Sequence, residues 1–272
     1  MLITGKLDKM LTTLASPVNY QLPLGEQRVE MNPLIGQTFT LNYTGRILCT
    51  HCNRLTKKSF GQGYCYPCFI KLAECDSCIV KPELCHYAQG TCREPAWGEV
   101  NCMIPHIVYL ANSSGIKVGI TRHTQIPTRW MDQGATQALP ILKVKSRLIS
   151  GLCEVAIAEH VADKTDWRAM LKGDAQPLIL AQRRDELLSK TQTRLDAIRA
   201  QHGADAVEVL NEAMLSIVYP VRNYPVKVSS FDFEKTPQVS GKLEGIKGQY
   251  LIFDTGVINI RKFTGYEVSI DC

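Results

Sequence analysis

The rhythm of hydrophobic and polar positions changes several times along the chain, and each change marks a region. Over residues 1–48, short stretches such as "LITGKL", "VNYQLPL" and "TFTLNYTGRIL" alternate or cluster β-formers between turn residues, which predicts strands. Residues 49–102 lose that periodicity and are punctuated by Gly, Pro and Cys. Across 103–172, apolar runs of strand length ("IVYLA", "KVGIT", "LPILKV") interleave with the helical pattern of "GLCEVAIAEHV". Residues 173–217 turn helical, with Leu180, Leu187, Leu188, Leu195 and Ile198 close to one face. Gly203 interrupts that helix, and Asp205 with Glu208 has the spacing of a capping box, which predicts a second helix. Residues 218–272 return to β texture in "YPVKVSSF", "QVSGKLEGI", "QYLIFDTGVINI" and "YEVSI". The recurrence of "TGKL" at 4–7 and "SGKL" at 240–243 fits chain ends that meet in one β module. The pattern as a whole predicts an α+β protein with a Cys-rich segment inserted between β regions.

Composition narrows the class only slightly. With 45% hydrophobic and 21% charged residues among 272, the chain is ordinary for a folded protein. No apolar run approaches the roughly 20 residues of a membrane span. The opening "MLITGKLDKMLTTLASP" alternates charge with apolar residues and lacks a signal-peptide core. The expected location is the cytoplasm, with no membrane partner. A formal charge of +5 permits nucleic-acid binding without demanding it.

The 11 cysteines change the picture, because most fall between Cys49 and Cys102. Clustered pairs in a reducing compartment are metal ligands before they are disulfides. Cys49-x2-Cys52 and Cys65-x2-Cys68, twelve residues apart, form the pattern of a closed, zinc-ribbon-like structural site. Cys75-x2-Cys78, Cys85 and Cys92 supply four more thiolates for a second metal, and His86 could replace one of them. Zinc is the expected ion there too, with an iron–sulfur cluster as the alternative. Cys102 is a spare, while Cys153 and Cys272 read as a core thiol and a terminal residue. Sites saturated with sulfur leave no open position for catalysis, so their expected task is to fold a loop-rich segment. Basic Arg54, Lys57, Lys58, Lys71, Lys81 and Arg93 alternate with Tyr64, Tyr66, Phe69 and Trp97, a composition suited to phosphates and bases.

The stretch "IVYLANSSGIKVGITRHTQIPTRW" places Tyr109, Lys117 and Arg129 within two strands and the start of a helix. It resembles the GIY-YIG nuclease superfamily: Ile107-Val108-Tyr109 stands for Gly-Ile-Tyr, Lys117-Val118-Gly119 for Tyr-Ile-Gly, and Arg129 for the helix Arg. Glu154 in the later helix matches that family's metal-binding Glu, and His160 a later His. The resemblance covers residues 103–167 and implies a three-stranded sheet with flanking helices. It also implies a phosphodiester hydrolase in which Glu154 holds Mg2+, Arg129 binds phosphate and Tyr109 and Lys117 handle the attacking water. Lys117 departs from the second Tyr of the pattern, which puts hydrolysis in question. Over its full length the chain also resembles a bacterial domain-of-unknown-function family, through "GYCYPCF", "CDSCIVKPELCH", "GTCREPAWGE", "PTRWMDQGA" and "LEGIKGQYLIFDTGVINIRK".

The leading expectation is therefore a metal-dependent, nuclease-like protein acting on DNA or RNA, with structural zinc. A non-catalytic nucleic-acid-binding protein on the same scaffold is the second reading, and a zinc-dependent module that binds another protein is the third. In "PTRWMDQGATQALP", Arg129, Asp132, Gln133 and Gly134 are denser in polar function than a core helix needs, while Trp130 and Trp167 read as core anchors.

Overall fold

The computed structural model describes residues 2–161 and 166–271. The alternating amino-terminal stretches form β1 (Leu2–Lys6), β2 (Leu11–Thr13), β3 (Asn19–Leu24), β4 (Gln27–Glu30) and the long β5 (Thr38–Leu48). The Cys-rich region carries little regular structure. It holds β6 (Leu55–Thr56), α1 (Tyr66–Lys71), single turns of 3-10 helix between Ala73 and Gln89, and α2 (Pro95–Asn101). There follow β7 (His106–Asn112), β8 (Ile116–Arg122), α3 (Thr128–Asp132), β9 (Gln137–Val144), α4 (Arg147–Ala158), α5 (Trp167–Met170) and α6 (Leu180–His202). The carboxy-terminal part contributes β10 (Val207–Val209), β11 (Leu215–Ser216), β12 (Gln238–Lys247), β13 (Tyr250–Phe253), β14 (Gly256–Asn259) and β15 (Tyr266–Asp271). None of these helices is long and apolar enough to cross a membrane.

The chain ends meet. β1 pairs antiparallel with β15 in the register Leu2↔Asp271, and β5 lies between β15 and β12. Among the described residues this sheet runs β1-β15-β5-β12-β13-β14, with β6 added to β5. Its inward residues, Phe39 and Leu41 of β5, Val239 and Leu243 of β12, and Val268 and Ile270 of β15, are buried in one core with Tyr20 and Leu22 of β3. This alternation is the two-residue period of strands with one packed face.

The second sheet runs β10-β9-β7-β8, with β11 also on β9. Every residue of β7 is buried, which explains its unbroken apolar run: a strand covered on both faces has no polar side. Ile107, Tyr109 and Ala111 pack into the core of the β module. Val108 and Leu110 face the other way, into a core shared with Ile149, Cys153 and Ile157 of α4 and Leu187 and Leu195 of α6. The helical face expected from Leu180, Leu187, Leu195 and Ile198 is buried, with Leu188 at its margin.

The second helix expected after Gly203 does not form. Residues 207–209 are strand β10, paired with β9 in the register Val207↔Val144. Asp205 forms an ion pair with Lys145 at 2.5 Å instead of capping a helix. The local sequence "AVEV" alternates, Val207 is buried, and an open sheet edge offers hydrogen bonds that a short, marginal helix cannot match.

The two sheets are joined at the turn between β12 and β13. Gly248 takes φ +60, and a Cβ there would lie 3.1 Å from the Asp132 carbonyl oxygen and the Gly134 nitrogen at the end of α3, so a side chain is strained and crowded at this position. The next residue, Gln249, is buried, and its amide oxygen accepts from the Met10 N–H (2.7 Å). Its amide nitrogen donates to the Met10 carbonyl (3.0 Å) and to Asp132 Oδ1 (2.9 Å). Lys9 closes the junction with an ion pair to Asp132 Oδ2 at 2.7 Å. Gln249→Ala leaves two buried Met10 groups unpaired and should destabilise the chain by about 2–3 kcal/mol. A urea-unfolding series checks this, and an unchanged midpoint would contradict the junction's energetic role.

Candidate functional site

Cys49 and Cys52 lie on a tight turn closed by Asn53 N–H to the Cys49 carbonyl (2.9 Å), with Asn53 in the left-handed region at φ 58. Cys65 precedes α1, and Cys68 sits in that helix's first turn. All four sulfurs lie within 4.8 Å of one another, and Cys52 Sγ is 3.8 Å from Cys65 Sγ. Tetrahedral metal–sulfur bonds of about 2.3 Å require sulfurs at roughly that separation, so this set could hold a metal ion. Burial opposes ionisation of Cys49, but the backbone N–H groups of Cys52, Cys65 and His51 outweigh it and hold the thiol down to about 6. Burial and the neighbouring thiols push Cys68 up instead.

The second cysteine group assembles differently from expectation. Cys78, Cys85 and Cys92 line one small cavity, and Cys102 joins them. Cys75 lines the larger cleft described below. His86 and Asp76 lie beside Cys78, but Asp76 Oδ2 is 2.7 Å from Arg93 Nε and His86 Nδ1 is 2.7 Å from Thr91 Oγ1. Cys153 is a buried core thiol, and Cys272 lies outside the described residues.

The larger cleft, about 1000 Å³, is bounded by the Cys-rich region, the β7–β8 hairpin and the β module. Tyr109, Lys117, Arg129 and Glu154 all line it. The register explains the first two: Tyr109 opposes Gly119 and Ala111 opposes Lys117, so all four share one sheet face. A Cβ on Gly119 would stand 2.8 Å from the Tyr109 ring and hydroxyl, so the glycine is the space into which that side chain lies. The ring packs edge-on to the buried Trp130, at 5.8 Å between centroids, which makes Trp130 a core anchor. Trp167 stacks on Tyr250 at 5.6 Å with the Arg168 guanidinium over it.

α3 brings Arg129, and Gln133 that follows the helix, over the Tyr109 hydroxyl. That hydroxyl and the Gln133 amide are 2.9 Å apart. The amide satisfies both neighbours when its nitrogen faces Tyr109 and its oxygen accepts from Arg129 Nε and Nη2, at 3.3 and 3.1 Å. Burial raises the Tyr109 hydroxyl's pKa, Arg129 opposes that rise, and the Glu154 carboxylate adds to it. Glu154 therefore lies close enough to Tyr109 to be felt electrostatically.

A further guanidinium enters from the far end of the chain. Arg261, in the 3-10 turn Ile260–Phe263, lines the cleft and is held by Gln62 of the Cys-rich region, which accepts from its Nε at 2.9 Å. Burial and the nearby Arg129 charge both lower its pKa. No local motif singles Arg261 out, since "NIRK" reads as an exposed turn. Arg122 and Arg147 reach the rim, but Arg122 donates to Asn101 and Arg147 to the Ile79 carbonyl at 2.6 Å. His160 is exposed and does not contribute to the cleft lining.

Over residues 36–268 the chain matches the family described as "Protein of unknown function (DUF2797)", and it belongs to that family. No curated protein and no solved structure matches it.

Loss of one thiolate should unravel the first cysteine site, because metal-binding energy in such segments is folding energy. Cys52→Ser is expected to lower bound zinc by about one ion per chain and to cost several kcal/mol. Metal quantification alongside thermal unfolding tests this, and full zinc with an unchanged melting temperature would refute it.

Proposed function

We propose that this member of the DUF2797 family is a metal-dependent, GIY-YIG-like phosphodiester hydrolase acting on DNA or RNA, with a structural zinc at Cys49, Cys52, Cys65 and Cys68. The observation that carries the proposal is the convergence of Tyr109, Lys117, Arg129 and Glu154 on one cleft, from two strands and two helices. The order β9-β7-β8 of the central strands is compatible with the sheet that the resemblance implies.

Each side chain has a task suited to its surroundings. Arg129 offers a planar fork to non-bridging phosphate oxygens, and Arg261 adds a second guanidinium lining the same cleft. Tyr109, fully buried and kept protonated, holds Gln133 through its hydroxyl and so aims the Arg129 fork at the cleft. Lys117 shares its sheet face and places an ammonium beside the developing negative charge. Glu154 is the carboxylate that would hold Mg2+, and when bound the ion supplies Lewis-acid stabilisation at phosphate and leaving oxygen. Mg2+ takes few protein ligands and keeps several waters, so one carboxylate in a roomy cleft fits it.

Incubation of the chain with Mg2+ and a panel of single- and double-stranded DNA and RNA tests the reading. Glu154→Ala should reduce cleavage by about 100-fold or more while leaving binding nearly intact, since it removes a carboxylate and little packing. Arg129→Ala should weaken both, because a phosphate fork acts in the ground state and more strongly in the transition state. Salt-dependent binding without cleavage by the native chain would favour the non-catalytic reading that Lys117 invites. Absence of any nucleic-acid binding would overturn both.

A further inference from the structure

Four cysteines that spacing alone does not group together surround one small cavity. Cys78 lies on the 3-10 turn Ser77–Ile79, Cys85 follows the turn Pro82–Leu84, Cys92 follows the turn Tyr87–Gln89, and Cys102 ends α2. We infer that Cys78, Cys85, Cys92 and Cys102, without Cys75, bind an iron–sulfur cluster of the four-iron, four-sulfide class. This centre is separate from the proposed hydrolase site and does not rest on it.

Three observations carry the inference. The first is width. The sulfurs of Cys49, Cys52, Cys65 and Cys68 close to within 4.8 Å of one another, whereas those of Cys78, Cys85, Cys92 and Cys102 do not form such a group. A single tetrahedral zinc needs sulfurs about 3.8 Å apart. A cluster interposes a shell of iron and sulfide between its thiolates and holds them wider.

The second is charge. Arg147 is half-buried against the group, and its backbone N–H donates to the Cys102 carbonyl at 2.8 Å. Its guanidinium donates to the Cys78 and Ile79 carbonyls, and no carboxylate pairs with it among the described residues. A half-buried guanidinium held in this way favours negative charge beside it. Four thiolates around an iron–sulfur core carry net negative charge and supply it from the cavity next to this guanidinium. Asp76 cannot serve as readily, because Arg93 and His86 already engage its carboxylate.

The third is the backbone. From Ala73 to Gln89 the chain is a series of single 3-10 turns closed by local i→i+3 hydrogen bonds, and no strand occurs between Ala73 and Cys102. Such a segment holds its shape only when something inside it replaces a hydrophobic core. Trp97 and Tyr87 cover the cavity, which shields a cluster from solvent.

The test is metal and sulfide analysis of the full chain purified without oxygen. The expected result is about four iron and four sulfide per chain, the broad visible absorbance of a cluster, and about one zinc. Cys102→Ser should lose the iron and the absorbance while keeping the zinc, and Cys75→Ser should keep both. If Cys102→Ser fails to fold, the native chain still decides the metal and Cys75→Ser the ligand set. Two zinc ions and no iron, persisting after reconstitution with ferrous iron and sulfide, would overturn the cluster. Loss of iron from Cys75→Ser would overturn the ligand set.

Discussion

The Asp132 carboxylate, with only 4% of its side chain exposed, is where three distant parts of the chain are held together. Lys9 reaches it from the amino-terminal strands and Gln249 from the β12–β13 turn, while Asp132 itself ends α3. A buried carboxylate is tolerable only when its oxygens are hydrogen-bonded and its charge is met, and here one oxygen takes an ammonium and the other an amide. The consequence is positional. α3 is five residues long and cannot be stable on propensity alone, so its placement depends on this junction and on burial of Trp130 and Met131. Arg129 and Gln133 inherit their aim over the cleft from that anchoring.

β7 transmits the same constraint into the sheet. Its two faces belong to different cores, so a one-residue slip would exchange Tyr109 and Ala111 for Val108 and Leu110 and fail on both sides. The register that sets Tyr109 over Gly119 is thus enforced by packing remote from the cleft. Gln133 then spans the hydroxyl and Arg129, coupling a strand residue to a helix residue through one amide. A polar chain of this kind rests on apolar contacts for its precision.

Periodicity and short motifs made part of this legible. The β7–β8 hairpin was readable because two apolar runs flank Asn112-Ser113-Ser114-Gly115, and the first cysteine site because each CxxC turn places two sulfurs on one side. The second cysteine group was only half legible. Spacing reports proximity within a turn, but Cys75 ends one 3-10 turn and Cys78 lies in the next, and the two line different cavities. Cys102 returns to the group only because α2, seven residues long, carries the chain back across it. Arg261 was invisible for a topological reason: its approach to Arg129 requires the pairing of β12, β13 and β14 around the junction. The capping-box spacing at Asp205 misled because a sheet edge competed for the same backbone.

The cysteine sites and the cleft are mechanically linked, so a metal held by those cysteines would take part in the cleft's shape without lining it. Tyr64, Phe69, Gly61 and Gln62, all from the segment between Cys52 and Lys71, form one wall of the cleft. Gln62 holds Arg261, and Asn53 accepts from Lys6 at 2.7 Å, so this wall is tied to both ends of the chain. Arg93 extends the link by donating to the carbonyls of Phe69 and Leu72 near the end of α1 and pairing with Asp76 ahead of Cys78. In a segment with so little apolar interior, metal ligation by the cysteines would hold these contacts in place. The position of Arg261 relative to Arg129 then depends on the Cys-rich wall, and the cleft is as well defined as that wall beside it.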